Sequence, residues 1–505
     1  LKTFLTIMNG SNGKHVQNGH EASLYAGRHL KQAWLTELAA SGGTNAKAFL
    51  EEAAKEIGKP LASLEVAQAL DGKLSKLPSN QRSAFLVPRN AGLPQTDPSL
   101  APPDEECVYL VGNSLGLQPS HTKQLVCEEL DKWASLGVNG HFEGKRPWMP
   151  IDENVIEQSA KVVGAEKSEV AVMNSLTVNL HLLFVSFYRP NGKRNKIMYE
   201  ASAFGSDYFA FESQARLHGL DPKEVLLPIE ARAGEELLRT EDIVSAIEAA
   251  GDSLATICFG TVQYYTGQFF DVPTITKAAH KVGATAMWDC AHAVGNIDLK
   301  LHDWDVDGAC WCNYKYLNSG PGAIGGFFVH RKHHDKGLPL LAGWWGQKQS
   351  TRFNMAHNWD PEADAGAWRL SNPPVLQTVS LLASLDLFSR TSMAELRGKS
   401  MLLTAYLESL LSPSFGAELT VITPSVPSAR GCQLSLKFSQ EKTCLATFSA
   451  LEKRGIVVDH RKPNVIRVAP APLYNTFTDV QRFCAAFREA LSEAAGEPAA
   501  KRAKV

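Results

Sequence analysis

Between residues 168 and 330, short apolar runs alternate with stretches whose apolar residues recur at helical spacing. LATICF (254–259), ATAMW (284–288) and GACWC (308–312) read as strands, and SDYFAFESQARLHG (206–219) and ITKAAHKVG (275–283) read as helices. That alternation predicts a parallel sheet covered by helices. Ahead of it, SHTKQLVCEELDKWASLG (120–137) spaces Val126, Leu130 and Trp133 by four and three residues. This predicts a helix buried along that stripe and capped by Ser120. Further upstream, AGRHLKQAWLTELAA and NAKAFLEEAAKEIG are amphipathic helix candidates, followed by the Pro-rich linker GLPQTDPSLAPPDE. After SNPPV the pattern changes. A long helical stretch with Leu381, Leu385 and Phe388 on one face leads to the strand candidates LTVIT, CQLSLKF, IVVDHR and VIRVA. A last helix aligns Val480, Phe483, Phe487 and Leu491. The expected organisation is a helical extension and linker (1–100), a large α/β domain (101–375), a small α+β domain (376–495) and a basic tail (496–505).

The 505 residues are 44% hydrophobic and 21% charged, an ordinary globular composition. A formal net charge of −2 provides no global basic field for nucleic acid or a membrane surface. No apolar run reaches the length of about eighteen residues that a membrane span needs. Nine scattered cysteines, several inside apolar runs, read as buried thiols of a reducing compartment, and the expected location is cytoplasmic. Cys310 and Cys312 share a strand face, but no second Cys/His pair stands nearby at ligand spacing, so no metal is expected. The chain does not begin with methionine; Met8 is a candidate start, and the segment before it lacks a secretory pattern. The basic end EPAAKRAKV reads as a solvated terminus, with a nuclear address as the alternative.

The chemistry concentrates in a few segments. In CWCNYKYLNSGPG (310–322), Lys315 follows an apolar strand and precedes a glycine-rich turn. Lysine is seldom buried without a partner or a task, although its stem can lie on apolar surface with the ammonium in water. In WDCAHAVGN (288–296), a strand ends on Asp289, with His292 three residues later. Ligands collect beyond the carboxyl ends of parallel strands, so Asp289 is either a helix cap or the counter-ion of a protonated heterocycle. An aspartate at one strand end and a lysine past the next is the pairing that pyridoxal phosphate chemistry requires. The lysine forms a Schiff base with the aldehyde, and the carboxylate keeps the pyridine nitrogen protonated. NSLTVNLHLL (174–183) opens an apolar helix with small and hydroxyl residues, and its free N–H groups with the Thr177 hydroxyl suit a phosphate dianion. Ser and Thr at a helix start also serve simply as caps. Phe204, at a strand-to-helix crossing, is either core or a ring that stacks on a flat cofactor. Ser206 and Asp207 follow it at capping positions.

YLVGNSLGLQP, GHFEGKRPW, VMNSLTVNLHLL, AFGSDYFAFESQARLHGL, YYTGQFFDVP, DCAHAVGN, HDWDVDGACWCNYKYLNSGPGAIGG, GWWGQKQSTRF, LSNPP and IRVAPAPLYN together resemble the eukaryotic kynureninases. The resemblance runs over roughly residues 100–490 and is weakest in the first hundred. It implies fold type I of the pyridoxal phosphate enzymes, an α/β fold with a mostly parallel seven-stranded sheet sandwiched by helices and a smaller α+β domain. It implies hydrolysis of L-kynurenine and 3-hydroxy-L-kynurenine to anthranilate or 3-hydroxyanthranilate plus L-alanine, in tryptophan catabolism towards NAD. By resemblance, Lys315 is the Schiff-base lysine, Asp289 the pyridinium partner and His292 a cofactor contact. Leu176 and Thr177 form the phosphate turn, and Phe204, Gly205, Ser206 and Asp207 the ring-side segment. Tyr314 matches a phosphate-binding tyrosine that relays a proton. Trp344 and Asn372 match cofactor contacts supplied by the neighbouring subunit of a homodimer. His141, Asn372 and Arg467 match substrate contacts. One position departs: Gly260 stands where these enzymes carry a serine, which leaves only a backbone contact or the Thr261 hydroxyl there. The competing readings are another fold type I activity, such as a cysteine desulfurase or an aminotransferase, and an inactive binding scaffold on the same fold.

Overall fold

The computed structural model describes residues 30–496 apart from 356, 415 and 417. The candidate start at Met8 and the basic tail beyond 496 lie outside the described residues. Seven strands build the central sheet: β1 Val170–Val172, β2 Lys196–Glu200, β3 Leu226–Ile229, β4 Leu254–Gly260, β5 Thr285–Asp289, β6 Gly308–Cys312 and β7 Gly325–Val329. Their spatial order is β1–β7–β6–β5–β4–β2–β3. The run from β6 to β3 pairs in parallel throughout, and β7 alone is antiparallel to its neighbours β6 and β1. Helices cover both faces, so these strands need apolar side chains on both sides, which is why they read as continuous rather than alternating runs. Trp288 and Trp311 are wholly buried.

A second, antiparallel sheet follows: β8 Leu419–Val421, β9 Leu434–Phe438, β10 Asp459–Arg461 and β11 Val465–Val468, in the order β8–β9–β11–β10. The final helix, Phe477–Ala494, buries Val480, Phe483 and Phe487 against it, with Leu491 at the margin. The IVVDHR run does not stay one strand. Ile456–Val457 leaves to pair in parallel with Val108–Tyr109, and only Asp459–Arg461 joins the sheet. The long helical stretch is likewise two helices, Val375–Phe388 and Met393–Leu411. Ser392 accepts the Glu395 N–H and caps the second, so the chain restarts there.

The N-terminal helices Gln32–Ala40, Ala46–Ile57 and Leu64–Leu74 share a core with this second unit: Leu35, Leu50 and Leu70 pack in one cluster with Leu403, Leu407 and Phe483. Two features tie them down. A Cβ at Gly398 would lie 2.1 Å from the Leu35 carbonyl oxygen, so the first helix crosses Met393–Leu411 at a residue with no side chain. The buried Glu395 carboxylate accepts the Ser79 N–H at 2.9 Å and the Gln32 side-chain amide at 2.8 Å.

The helix predicted at 120–137 forms over Thr122–Leu136, but the predicted stripe is not its buried face. Leu130 and Trp133 are 42% and 65% exposed, while Leu125 and Glu129 are buried. Charge decides this orientation. Glu129 accepts hydrogen bonds from Arg146 Nε at 2.7 Å and Trp148 Nε1 at 2.8 Å and pairs with Lys132 at 2.6 Å. Ser120 is not the cap; His121 occupies that position, and the Ser120 N–H goes to the Ala84 carbonyl.

Candidate active site

Because β2, β4, β5 and β6 are parallel, their carboxyl ends open on one edge of the sheet, and a cavity of about 190 Å³ lies there. Its lining brings together Leu176, Thr177, Phe204, Ser206, Asp207, Gly260, Asp289, His292, Tyr314 and Lys315, all expected from the sequence. Gly205 stands beside this lining as the first residue of the helix Gly205–Leu217.

Asp289 closes β5 and is 8% exposed. One carboxylate oxygen accepts the Ala291 N–H at 2.7 Å, so it does brace the following turn, yet no helix starts there for it to cap. Burial pushes its carboxyl above the usual range, opposed by the nearby Lys315 ammonium, the Ala291 N–H and a hydrogen bond with Asp207. Asp207 is held much higher by burial and by the Asp289 charge. Burial thus disfavours ionisation of both carboxyls, and the Lys315 ammonium favours the charged form of Asp289. His292 is pushed well down by burial and by the cations Lys315, Arg467 and Arg461, which keeps the imidazole neutral. Tyr314 is raised chiefly by burial and retains its proton.

Lys315 is half-buried in the turn after β6, its ammonium 6.0 Å from the centre of the Tyr314 ring. The GNSLG segment holds this turn. Gly116 donates its N–H to the Tyr314 carbonyl at 2.8 Å, and a Cβ at Gly116 would lie 2.3 Å from the Lys315 carbonyl oxygen. Only glycine allows that approach. Asn174 takes a left-handed φ of 52° just before the helix Leu176–Phe187, whose first residues, Leu176 and Thr177, line the cavity where a helix leaves its N–H groups unpaired. Phe204 caps the Gly205–Leu217 helix, is 46% exposed and stands edge-on to Tyr264 at 5.1 Å. It is not core.

Other expected residues lie elsewhere. Arg467, on β11, is fully buried; its Nη1 donates to the Tyr264 carbonyl and its Nη2 to Asp459, both at 2.6 Å, and Nε has no partner. It does not line the cavity, but it is close enough to repel a proton from His292. His141, Trp344 and Asn372 sit apart from the cavity and near one another. His141 packs edge-on against Trp148, and its neighbour Phe142 touches Phe353, which touches Trp344 at 5.4 Å. The chain at Leu370 passes close against Gly343, bringing exposed Asn372 alongside. Trp344 lines a separate surface hollow with Arg352, Met355 and Trp359.

Four lining residues were not expected: Glu200, Val262, Tyr264 and Ala291. Glu200 had a readable signal, because it closes the apolar run IMYE as Asp289 closes TAMWD. Val262 and Tyr264 lie in a loop without a pattern. Remote from this edge, Glu169, His302 and His330 bring ligand atoms within 4.8 Å of one another. Their atoms are already committed: Glu169 accepts from His302 and from the Arg331 and Glu166 N–H groups, and His330 Nδ1 from the Lys332 N–H.

Comparison with known proteins places this geometry. The family model described as the kynureninase C-terminal domain matches residues 396–487. The kynureninase of Monosiga brevicollis is 50% identical over 460 residues, 88% of this chain and 99% of that one. Those of Mus musculus and Homo sapiens are each 50% identical, over 80% of this chain and 89% and 88% of theirs. The chain belongs to the kynureninase family. Among solved structures, it superposes on the Escherichia coli cysteine desulfurase CsdA with a TM-score of 0.63 at 16% identity, covering 82% of this chain and 98% of that one. A C-DES variant with glycine covalently linked to its PLP cofactor gives 0.62 at 14% identity, covering 77% and 99%. At that identity the likeness speaks for the fold, which is the fold type I architecture expected for a kynureninase. No helix among the described residues is long and apolar enough to cross a membrane.

The electrostatics yield a stability prediction. Glu200 is raised from 4.5 to about 8 by burial and then by the Asp289 charge. The folded protein therefore holds a proton that the unfolded chain releases between those values. Stability is full below that window and is lost as pH rises through it. In urea unfolding of the cofactor-free protein, the wild type is expected to lose at least about 1 kcal/mol relative to Glu200→Gln between pH ~5 and pH ~8. Parallel pH profiles for the two proteins would contradict the assignment.

Proposed function

We propose that this chain hydrolyses L-kynurenine and 3-hydroxy-L-kynurenine to anthranilate or 3-hydroxyanthranilate plus L-alanine, within tryptophan catabolism towards NAD, with pyridoxal 5′-phosphate as cofactor. The observation that carries the reading is one cavity holding a lysine, a carboxylate anion and a helix N-terminus, in a chain half identical to kynureninases along nearly its whole length. The donor set fits the cofactor. Lys315 offers an amine for the aldehyde, and Asp289 an anion for the ring nitrogen, beside two acids that stay neutral. The N–H groups at Leu176 and Thr177 suit the phosphate dianion, and half-exposed Phe204 offers an aromatic face.

When bound, the cofactor supplies an electron sink for the pair left at the substrate Cα once its proton departs. The residues do the rest. Lys315 Nζ would hold the aldehyde and, once free, is the base placed to take the substrate Cα proton. Asp289 holds the positive charge of the ring nitrogen in place. Tyr314, protonated and next to Lys315, would hold the phosphate by a hydrogen bond and give a proton to Cβ as the Cβ–Cγ bond breaks, with water supplying the hydroxyl that stays on Cγ. His292, neutral, contacts the ring without adding charge. By resemblance Arg467 is the residue for the substrate carboxylate; here it is buried outside the cavity lining, its guanidinium plane fixed by Asp459 and the Tyr264 carbonyl.

The surface around His141, Trp344 and Asn372 belongs to the same reading. Phe142, Trp344, Phe353 and Met355 are between 49% and 72% exposed and adjoin one another, a contiguous apolar area that a lone soluble chain seldom displays. We read it as the contact face of a homodimer that carries these three residues into the neighbouring copy's cavity. Nine unpaired cysteines, eight of them buried, fit a reducing compartment such as the cytoplasm.

Release of anthranilate from L-kynurenine by the purified chain is expected, and Lys315→Ala should reduce it by at least about a thousandfold. Unchanged turnover would remove Lys315 from its role. Mixing inactive Lys315→Ala and Asn372→Ala proteins under dissociating conditions and reassociating them should restore about one quarter of wild-type activity, because half the dimers then carry one intact site. No recovery, with dimers re-formed, would assign Asn372 to its own chain's site.

A further inference from the structure

The reading above leaves one strand-end acid of the cavity, Glu200, without a contact of its own. Glu200 closes β2, is 3% exposed and lines the cavity, and its Oε2 has no hydrogen-bond partner. A buried carboxyl oxygen without a partner is costly, and such groups are rare in folded proteins unless a ligand completes them. The groups around it define its protonation. Asp289 lies at the end of β5 and Asp207 in the first turn of the Gly205–Leu217 helix; both carry acidic groups towards it, while Lys315 and His292 share the cavity. Burial and the Asp289 charge keep Glu200 protonated at neutral pH. A neutral carboxylic acid carries an O–H donor as well as acceptors.

The neighbouring strand leaves room for that donor to act. Gly260 ends β4 beside Glu200 and lines the same cavity with no side chain. A Cβ there would meet only Glu200 Oε1 at 3.5 Å and the Val262 carbonyl oxygen at 3.6 Å, which is ordinary contact. Space for a side chain therefore exists, and the chain does not fill it.

Resting on the cofactor reading given above, we propose that Glu200 is a binding residue of this site, its partnerless carboxyl oxygen reaching the bound cofactor by a hydrogen bond across the space left by Gly260. The two strand-end acids then divide the work. Asp289, the anion, answers positive charge, and Glu200, the neutral acid, answers an acceptor.

Titration of the cofactor-free protein with pyridoxal 5′-phosphate, followed by absorbance, tests this, with circular dichroism of each variant as the check of folding. Glu200→Gln keeps a donor and is expected to bind within about threefold of wild type, whereas Glu200→Leu should bind at least about tenfold more weakly. Adding Gly260→Ser to Glu200→Leu places a hydroxyl in the open space and should recover at least about threefold of that loss. In the loaded protein, the cofactor absorbance should respond to a proton loss above neutral pH that Glu200→Gln abolishes. Equal affinity and equal pH response in wild type and Glu200→Leu would overturn the role of Glu200 and leave the cofactor reading standing. Should Glu200→Leu fail to fold, persistence of the pH response in Glu200→Gln overturns it instead. A wild-type chain that takes up no cofactor would overturn the reading on which the proposal rests.

Discussion

One charge balance governs this site: three buried carboxyl groups and one half-buried lysine share a cavity. Like charges so close cannot all ionise, and burial alone disfavours every one of them. The Lys315 ammonium favours the charged form of Asp289, while burial and the Asp289 charge push the Asp207 and Glu200 carboxyls up. The parallel sheet makes this crowding unavoidable, because adjacent strands running the same way deliver their last side chains to one edge.

The second unit packs beside the site from outside the large sheet. Arg467 comes from β11 of the small sheet and donates to the Tyr264 carbonyl of the large unit's loop, so the two sheets meet beside the cavity. The small unit is in turn held by the N-terminal helices, which bury Leu35, Leu50 and Leu70 in its core and seat the first helix on Gly398. A segment that reads as a polar extension in the sequence is thus part of the frame that carries Arg467.

Legibility in the sequence followed the source of each signal. Strands β4, β5 and β6 were readable because burial on both faces makes their residues apolar without interruption, and Asp289 and Lys315 stood out against that background. The face of the Thr122–Leu136 helix was misread because apolar spacing was weighed without charge: Glu129 is drawn inward by Arg146, Trp148 and Lys132, and Trp133 is turned out. The placing of His141, Trp344 and Asn372 away from the cavity was not readable from spacing at all, since it follows from tertiary packing of loops without periodicity; resemblance pointed to it for Trp344 and Asn372 and not for His141. Glu200 was missed although its strand-end position repeats that of Asp289, because a single glutamate after an apolar run has many surface explanations until burial is known.

The account stands or falls on Asp289 being the anion that keeps a bound heterocycle protonated. Nitrogen-15 magnetic resonance of ring-labelled pyridoxal 5′-phosphate bound to the protein measures this directly. A ring nitrogen with the shift of a protonated pyridine in the wild type, moving to that of a neutral pyridine in Asp289→Asn, is the predicted result. A neutral ring nitrogen in the wild type, unchanged by that substitution, would contradict it.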